Sequence, residues 1–266
     1  MKIEELLLIA VKASLKGGEE ILKVYNSDFS VERKEDNSPL TLADKNANEA
    51  ICNTLSQTKI PVLSEEGKTI PYAERSRWEY FWMVDPLDGT KEFVKRNGEF
   101  TVNIALIHQQ KSILGVIYVP VTRTLYFAAQ GLGSFKFQVS SSKFEVQSLS
   151  ELISSSQKLP IADLKNKFTV VASRSHLSEE TEQFIDGLKT VHKELDFISS
   201  GSSIKLCLVA EGRADVYPRF APTMEWDTAA GQAICETAGK KVIDYKTNVN
   251  VLYNKEDLLN NWFIVQ

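Results

Sequence analysis

The spacing of hydrophobic positions predicts helices and buried strands in the first third of the chain. Apolar residues recur at helical spacing through residues 3–24 and again through residues 41–55, which predicts two amphipathic helices. Residues 61–63 and 80–84 are short apolar runs and predict buried strands. Both runs lead directly into acidic residues, which we therefore expect at strand ends.

The next stretch consists of paired β-branched segments. Residues 101–107 and 113–119 are separated by a short polar segment, which predicts two antiparallel neighbours. Residues 124–128 and 134–139 lie on either side of a glycine-containing turn and predict a further hairpin.

Beyond the Ser-rich segment 140–156 the pattern changes to alternation of strands and helices. The predicted strands are 168–172, 197–199 and 214–219, and the predicted helices are 178–188, 202–211 and 226–238. Strands beside strands, followed by strands alternating with helices, indicate a layered α/β or α+β protein. We predict two subdomains, residues 1–140 and 141–266, with the junction in the Ser-rich segment.

Composition and charge are those of an ordinary globular protein. The 266 residues are 43% hydrophobic and 25% charged, which argues against disorder. Lys and Arg total 31 against 35 Asp and Glu, a net charge of −4. Binding to a nucleic-acid polymer is therefore not expected, because it needs a dominant positive field. Small phosphorylated ligands fit, since a few local cations can bind them.

The cysteines and the first helix indicate the cellular location of the protein. Cys52, Cys207 and Cys235 are far apart, form neither a zinc spacing nor a disulfide framework, and fit buried thiols in a reducing compartment. The apolar run at residues 6–11 is too short to span a bilayer. We predict a cytoplasmic protein without a transmembrane segment, and peripheral association with the inner membrane is left open.

The most informative segment follows the strand predicted at 80–84 and reads Asp85-Pro86-Leu87-Asp88-Gly89-Thr90. Asp-Gly is common in plain turns, but a plain turn does not explain an acid at Asp85, still attached to a buried strand. We predict a tight turn on which both carboxylates converge, with the Leu87 carbonyl between them. Gly89 would let the backbone approach a ligand closely. Converging hard oxygen atoms are the ligands that Mg²⁺ requires.

Matching acids follow two other elements. Glu65 and Glu66 come after the strand at 61–63, and Asp227 opens the helix at 226–238. Taken singly, Glu66 fits a solvated turn and Asp227 fits a helix cap. Taken together, the acids favour two or three divalent ions, because paired ions activate water and neutralise a phosphoryl group in transfer.

These segments resemble a known family. Glu65-Glu66, Asp85-Pro86-Leu87-Asp88-Gly89-Thr90 and Trp226-Asp227-Thr228-Ala229-Ala230-Gly231 are similar, in order and rough spacing, to the acidic loop and two signature motifs of the inositol monophosphatase-like, lithium-sensitive phosphatases. The resemblance covers essentially the whole chain. It implies the layered αβαβα sugar-phosphatase fold, phosphoric monoester hydrolase activity and two or three Mg²⁺ ions. The metal ligands that it implies are Glu65, Asp85, the Leu87 carbonyl, Asp88 and Asp227.

Further segments resemble one branch of this family, the bacterial 3′(2′),5′-bisphosphate nucleotidases of the CysQ type. They are Ser38-Pro39-Leu40-Thr41-Leu42-Ala43-Asp44, Ser173-Arg174-Ser175-His176, Gly201-Ser202-Ser203-Ile204-Lys205 and Arg219-Phe220-Ala221-Pro222-Thr223-Met224-Glu225-Trp226-Asp227. The implied substrate is adenosine 3′,5′-bisphosphate or its sulfated relative. The implied products are AMP or adenosine 5′-phosphosulfate, plus phosphate, in a reaction linked to sulfur assimilation.

The resemblance suggests the catalytic roles. Glu65 and Asp85 would share ions, and Asp88 and Asp227 would hold a second ion beside the leaving oxygen. Thr90, partnered by Asp44, would orient and deprotonate the attacking water. Asp44 is well placed for a cleft, and it is also acceptable as a surface residue of the second helix.

Other residues would bind the substrate. The main-chain amides around Gly89 and Thr90 would bind the reacting phosphate, which Glu65, Leu87, Asp88 and Asp227 would also contact. Ser202 at a helix start, Lys205 one turn on and Arg219 at a strand end would bind the second phosphate, although a helix cap with solvated cations explains them too. His176 would lie near the base, and a loop histidine is often incidental.

Three alternatives stay open at this point. An inositol-1-phosphatase or other sugar monophosphatase would use the same ions but would need no anchor for a second phosphate. A non-catalytic metal or nucleotide sensor could dispense with Thr90 and Asp44. A calcium-stabilised structural protein is disfavoured, because the chain has no EF-hand loop. A homodimer is expected only by analogy with the fold.

Overall fold

The computed structural model describes residues 1–27, 31–33, 39–141, 145–161, 167–173 and 178–266. The helices of these residues are α1 (Ile3–Tyr25), α2 (Leu42–Leu55), α3 (Tyr72–Arg75), α4 (Thr90–Val94), α5 (Leu149–Ser154), α6 (Glu179–Val191), α7 (Ile204–Glu211) and α8 (Glu225–Thr237). A short 3₁₀ helix, Ser56–Thr58, follows α2.

The strands are β1 (Val31–Arg33), β2 (Pro39–Thr41), β3 (Val62–Ser64), β4 (Tyr80–Asp88), β5 (Thr101–His108), β6 (Lys111–Val119), β7 (Thr124–Ala129), β8 (Gly133–Gln138), β9 (Gln157–Lys158), β10 (Phe168–Ser173), β11 (Leu195–Ser200), β12 (Tyr217–Arg219), β13 (Val242–Asp244) and β14 (Phe263–Val265). Most of the predicted elements are confirmed, including the two N-terminal helices and the hairpins β5–β6 and β7–β8.

A seven-stranded sheet with the order β3-β4-β5-β6-β7-β8-β9 forms the centre of the molecule. Strands β3 and β4 are parallel, and the other neighbours are antiparallel. Because side chains alternate along a strand, β4 buries Trp82 and Val84 against α1 and α2. It buries Phe81 and Met83 in a second core with α7 and α8.

Smaller sheets complete the layers beyond α7 and α8. Strands β12, β14 and β13 form a three-stranded sheet, and β10 and β11 form a parallel pair. A third core joins α6 to this side through Val170, Ile185 and Val216. The layers are, in order, the helices α1 and α2, the large sheet, the helices α7 and α8, the small sheets and the outer helix α6. This is the layered αβαβα arrangement, so the predicted fold class is confirmed.

The structure differs from the prediction at the end of β4. We expected the strand to stop at Val84 and a tight turn to follow, but β4 continues to Asp88. The pairing of β4 with β5 shifts register between Asp85 and Asp88, which marks a β-bulge. Pro86 has no N–H to donate to the ladder, and a bulge accommodates this defect.

Helix α8 lies directly on the large sheet because β6 has a glycine at the contact. A Cβ atom added to Gly115 would come within 2.2 Å of the carbonyl oxygen of Ala230. The absence of a side chain at Gly115 therefore allows the close approach of helix and strand. This contact sets the position of α8, whose first turn carries Asp227.

The C-terminal sheet has no counterpart in the sequence prediction beyond β12. Strands β13 and β14 have three residues each, too few to show a period of two. The proposed division at residues 140 and 141 stays a prediction, and the large sheet itself runs to β9 at Gln157–Lys158. Within the described part of the chain, no helix has both the length and the apolar character that crossing a membrane requires.

Candidate active site

The bulge at the end of β4 brings two predicted acids to the same edge of the large sheet. Asp85 is 1% exposed, and its Oδ1 accepts the Leu87 N–H at 3.1 Å. Asp88 is half-buried, and its Oδ2 accepts a hydrogen bond from the Ser203 hydroxyl at 2.7 Å. Both carboxylates are therefore oriented by neighbouring donors.

Helix α8 supplies the third acid. Asp227 lies in its first turn, and its Oδ2 accepts the N–H of Met224 at 2.9 Å, a capping contact that fixes the carboxylate. Oxygen atoms of Asp85, Asp88 and Asp227 all lie within 4.8 Å of one another. Three hard oxygen donors at this spacing suit a divalent cation.

Glu65 and Asp44 join the cluster from β3 and α2. The Glu65 N–H donates to the Val84 carbonyl at 3.1 Å, so that Glu65 continues the parallel pairing and lies beside the end of β4. Asp44 is 2% exposed and lies in the first turn of α2, rather than on the surface. Glu66 is half-buried in the turn after β3.

The electrostatics of the cluster favour a bound cation. Burial raises the pKa of Asp85 well above its usual range, and the charges of Glu65, Asp88, Asp227 and Asp44 raise it further. Burial and the neighbouring Asp88 also raise the pKa of Asp227. Ionised carboxylates cannot remain so close in a buried place without positive charge, so the residues present fit divalent metal ions.

Gly89 and Thr90 lie between the acids and the turn that carries Ser202. Gly89 has φ = 93°, in the left-handed region that favours glycine, and a Cβ atom there would lie 3.2 Å from Cβ of Ser202. The Thr90 hydroxyl is 3.5 Å from the Leu87 carbonyl oxygen. The absence of a side chain at Gly89 thus allows the loop after β4 and the turn that carries Ser202 to approach each other.

A cavity of about 130 Å³ lies beside the acids. Residues from α4, α7, β12 and α8 line it, together with the turn before α7. The lining residues are Asp88, Gly89, Lys91, Glu92, Gly201, Ser202, Ser203, Lys205, Leu206, Tyr217, Arg219, Thr223, Asp227, Thr228 and Phe263. The three residues predicted to bind the second phosphate thus share one cavity with Asp88 and Asp227.

Ser202 and Arg219 each have a buried donor without a partner in the described part of the chain, namely Ser202 Oγ and Arg219 Nε. Buried polar atoms are nearly always hydrogen-bonded, so these donors are available to a ligand in the cavity. Helix α7 begins at Ile204, two residues later than predicted. Ser202 lies in the preceding turn with φ = 42°, and this turn carries its hydroxyl to the cavity.

Lys205 is the buried cation of this wall. It is 5% exposed, and its ammonium donates to the Ser202 carbonyl oxygen. Burial lowers the pKa of Lys205 to about 8, although the charge of Asp88 opposes this shift. An anion in the cavity would favour the charged form of Lys205, which burial disfavours.

Two residues beside Asp88 received no role from the sequence. The Ser203 hydroxyl lies 2.7 Å from Asp88 Oδ2 and 2.7 Å from the carbonyl oxygen of Asp227, and it accepts the Asn103 side-chain amide at 2.9 Å. Ser203 therefore connects the β4 acid to the α8 acid. The one feature of the sequence that could have indicated this contact is Asn103, a polar residue inside the apolar strand β5.

His176, predicted to lie near the base, falls outside the described residues. The structure thus places Asp44, Glu65, Asp85, Asp88 and Asp227 in one acidic cluster. It places Ser202, Lys205 and Arg219 on the facing wall of the cavity.

Comparison with known proteins agrees with this geometry. The profile of the inositol monophosphatase family matches residues 2–264. The 3′(2′),5′-bisphosphate nucleotidase CysQ of Salmonella typhimurium is 42% identical over 252 residues, which are 93% of this chain and 94% of that protein.

Solved structures give the same result. CysQ from Bacteroides thetaiotaomicron, a bacterial member of the inositol monophosphatase family, is 54% identical with a TM-score of 0.91, covering 99% of this chain and 97% of that chain. The extragenic suppressor protein suhB from Bartonella henselae is 25% identical with a TM-score of 0.75, covering 98% and 93%.

The chain belongs to the inositol monophosphatase family, and the resemblance seen in its motifs is confirmed. The relatives named above as nucleotidases are phosphatases, and this chain is likewise an enzyme of that class. The alternatives of a non-catalytic sensor and of a calcium-stabilised structural protein therefore lose their support.

Proposed function

We propose that this enzyme is a magnesium-dependent 3′(2′),5′-bisphosphate nucleotidase that hydrolyses the 3′-phosphate of adenosine 3′,5′-bisphosphate to AMP and phosphate. One observation carries the proposal: Ser202, Lys205 and Arg219 line the same cavity as Asp88 and Asp227. Among the described residues, the buried donors Ser202 Oγ and Arg219 Nε have no hydrogen-bond partner. A monophosphate needs only the acidic side. A second wall that carries cations and hydrogen-bond donors suits a substrate with two phosphates.

The ions would be held by Glu65, Asp85, the Leu87 carbonyl, Asp88 and Asp227. When bound, Mg²⁺ supplies Lewis-acid charge to the reacting phosphate and lowers the pKa of nearby water. We expect two or three ions, because that number balances the buried carboxylates.

The remaining roles belong to the protein itself. The amides around Gly89 and Thr90 would bind oxygen atoms of the 3′-phosphate, while Ser202, Lys205 and Arg219 would bind the 5′-phosphate. Thr90 and Asp44 would orient the attacking water and accept its proton. As the new P–O bond forms, the bond from phosphorus to the 3′-oxygen breaks, and that oxygen leaves and takes up a proton. The transition state spreads charge over the phosphoryl oxygens.

The proposal extends to 3′-phosphoadenylyl sulfate, which has the same 3′-phosphate, and hence to sulfur assimilation. His176 near the base, a homodimer and a cytoplasmic location also stay predictions.

The test is phosphate release, with Mg²⁺ and with chelator, from adenosine 3′,5′-bisphosphate, inositol 1-phosphate, AMP and fructose 1,6-bisphosphate. We expect magnesium-dependent preference for adenosine 3′,5′-bisphosphate. Preference for inositol 1-phosphate would keep the metal chemistry and contradict the proposed substrate. Release that persists with chelator would contradict the role of metal.

A further inference from the structure

The first turn of α8, which carries Asp227, is bound by the segment 254–260. The side-chain amide of Asn260 donates to the Met224 carbonyl oxygen at 2.8 Å and to Thr228 Oγ1 at 3.0 Å. These contacts tie Asn260 to the N-cap residue and to the first turn of α8. The segment is therefore bonded directly to the helix turn that carries Asp227.

Glu225, the first residue of α8, is the centre of this contact. Its side chain is 0% exposed. Its Oε2 accepts the Asn254 N–H at 2.6 Å, while Oε1 accepts the Lys255 N–H at 3.0 Å and Lys255 Nζ at 2.6 Å. A buried carboxylate is stable only when it is paired and hydrogen-bonded in this way.

The donors that bind Glu225 are themselves held in place by Arg75 of α3, which is 3% exposed. Arg75 Nη1 donates to Asn254 Oδ1 at 2.8 Å and to the Lys255 carbonyl oxygen at 2.6 Å. Its Nη2 donates to the Glu256 carbonyl oxygen at 2.7 Å. A continuous network therefore runs from α3 through the segment 254–260 to Glu225.

We infer that Glu225 is a positioning residue for the metal ligand Asp227. The inference rests on the proposed function, in which Asp227 holds a metal ion. Glu225 and Asp227 share one helical turn, so a displacement of Glu225 moves Asp227 relative to Asp85 and Asp88. The donor atoms of these three acids lie within 4.8 Å of one another, and such clusters bind metal well only when neighbouring groups hold the ligands in place.

The test measures metal binding directly. Mg²⁺, and Mn²⁺ as a second probe, is titrated calorimetrically into the whole protein without substrate. In Glu225→Gln, one acceptor oxygen becomes an amide that faces an N–H donor. We expect the dissociation constant for metal to rise about 10- to 100-fold, while the KM for adenosine 3′,5′-bisphosphate at saturating metal stays unchanged.

Two further variants separate positioning from general stability. Glu236→Gln makes the same change near the other end of α8, where Glu236 accepts Gln232 Nε2 at 2.8 Å and Asn250 Nδ2 at 2.9 Å. We expect wild-type metal affinity there, even if the melting temperature falls. Lys255→Met leaves Glu225 its two backbone donors, so metal affinity should weaken less than in Glu225→Gln.

Unchanged metal affinity in both Glu225→Gln and Lys255→Met overturns the inference, as does an equal loss in Glu236→Gln. If Glu225→Gln does not fold, Lys255→Met decides alone. A wild-type protein that binds neither Mg²⁺ nor Mn²⁺ overturns the proposed function as well. Binding that is the same in wild type and variants overturns only the role of Glu225.

Discussion

The two walls of the cavity are built in opposite ways. The acidic wall takes its residues from the end of β4 and the first turn of α8, and each carboxylate there is oriented by a neighbouring donor. The basic wall takes Ser202 from a left-handed turn and Arg219 from the end of a three-residue strand. Each has a buried donor that finds no partner among the residues that the structure describes. The acidic wall thus has donors that orient its carboxylates, but it has excess negative charge. The basic wall has more hydrogen-bond donors than nearby acceptors.

This difference shows what each wall needs. Clustered carboxylates are stabilised by cations, and buried partnerless donors are stabilised by an anion. A substrate that presents one phosphate to metal ions and another to Ser202, Lys205 and Arg219 satisfies both walls at once. The experiments below test whether the two walls have separate tasks.

The largest effect is expected on the acidic wall. Asp88→Asn removes a charge from the metal cluster while preserving the size of the side chain. We expect kcat to fall about 10²- to 10³-fold for every substrate, because the reacting phosphate is bound on this wall whatever the rest of the substrate is. The rate of phosphate release at saturating Mg²⁺ and substrate measures this change in kcat.

Asp244→Asn is the matched control, since Asp244 lies at the end of β13 and binds the local amides of Lys246 and Thr247. Its activity should equal that of the wild type. A loss confined to bisphosphates in Asp88→Asn would contradict the division of tasks between the walls.

An intermediate effect is expected on the basic wall. Lys205→Met keeps the length of the side chain but removes a charged hydrogen-bond donor, worth about 1.5–3 kcal/mol. The KM for adenosine 3′,5′-bisphosphate should therefore rise about 10- to 150-fold, while kinetics with adenosine 3′-monophosphate stay as they were. Steady-state kinetics on the two substrates give this comparison.

The control for that variant is Lys189→Met in α6, an exposed lysine beside Asp186. No change is expected there. Equal weakening of both substrates by Lys205→Met would mean that Lys205 supports the site as a whole rather than the second phosphate.

The smallest effect concerns pH. Because burial lowers the pKa of Lys205 to about 8, the free enzyme has a charged Lys205 below that pH and a neutral one above it. Bound phosphate favours the charged form, so affinity falls as pH rises. Between pH 7 and pH 9 we expect the KM for the bisphosphate to rise about tenfold.

In Lys205→Arg the guanidinium stays charged over this range, so the rise with pH should disappear even if KM itself changes. A KM profile that is the same in the wild type and in Lys205→Arg would assign the pH dependence to another group.

The acids of the acidic wall could be identified from the sequence because their motifs are local. Asp85, Leu87 and Asp88 fall within one short segment after an apolar strand, and the helix start at Asp227 is read from its own neighbours. The bulge was not predicted, since it depends on pairing with β5. The sequence also allowed Asp44 to be a surface residue, and only the packing of α2 on the sheet shows that it is buried.

The sequence by itself determined the fold class, the family and the set of acids, because periodicity and short motifs are properties of neighbouring residues. Only the tertiary structure decided that Ser203 links Asp88 to Asp227, that Ser202 and Arg219 face one cavity, and that Glu225 binds the segment 254–260. The partners in these contacts are distant in the chain. No local pattern encodes such pairs, since packing of α7, α8 and the C-terminal segment against the sheet brings them together.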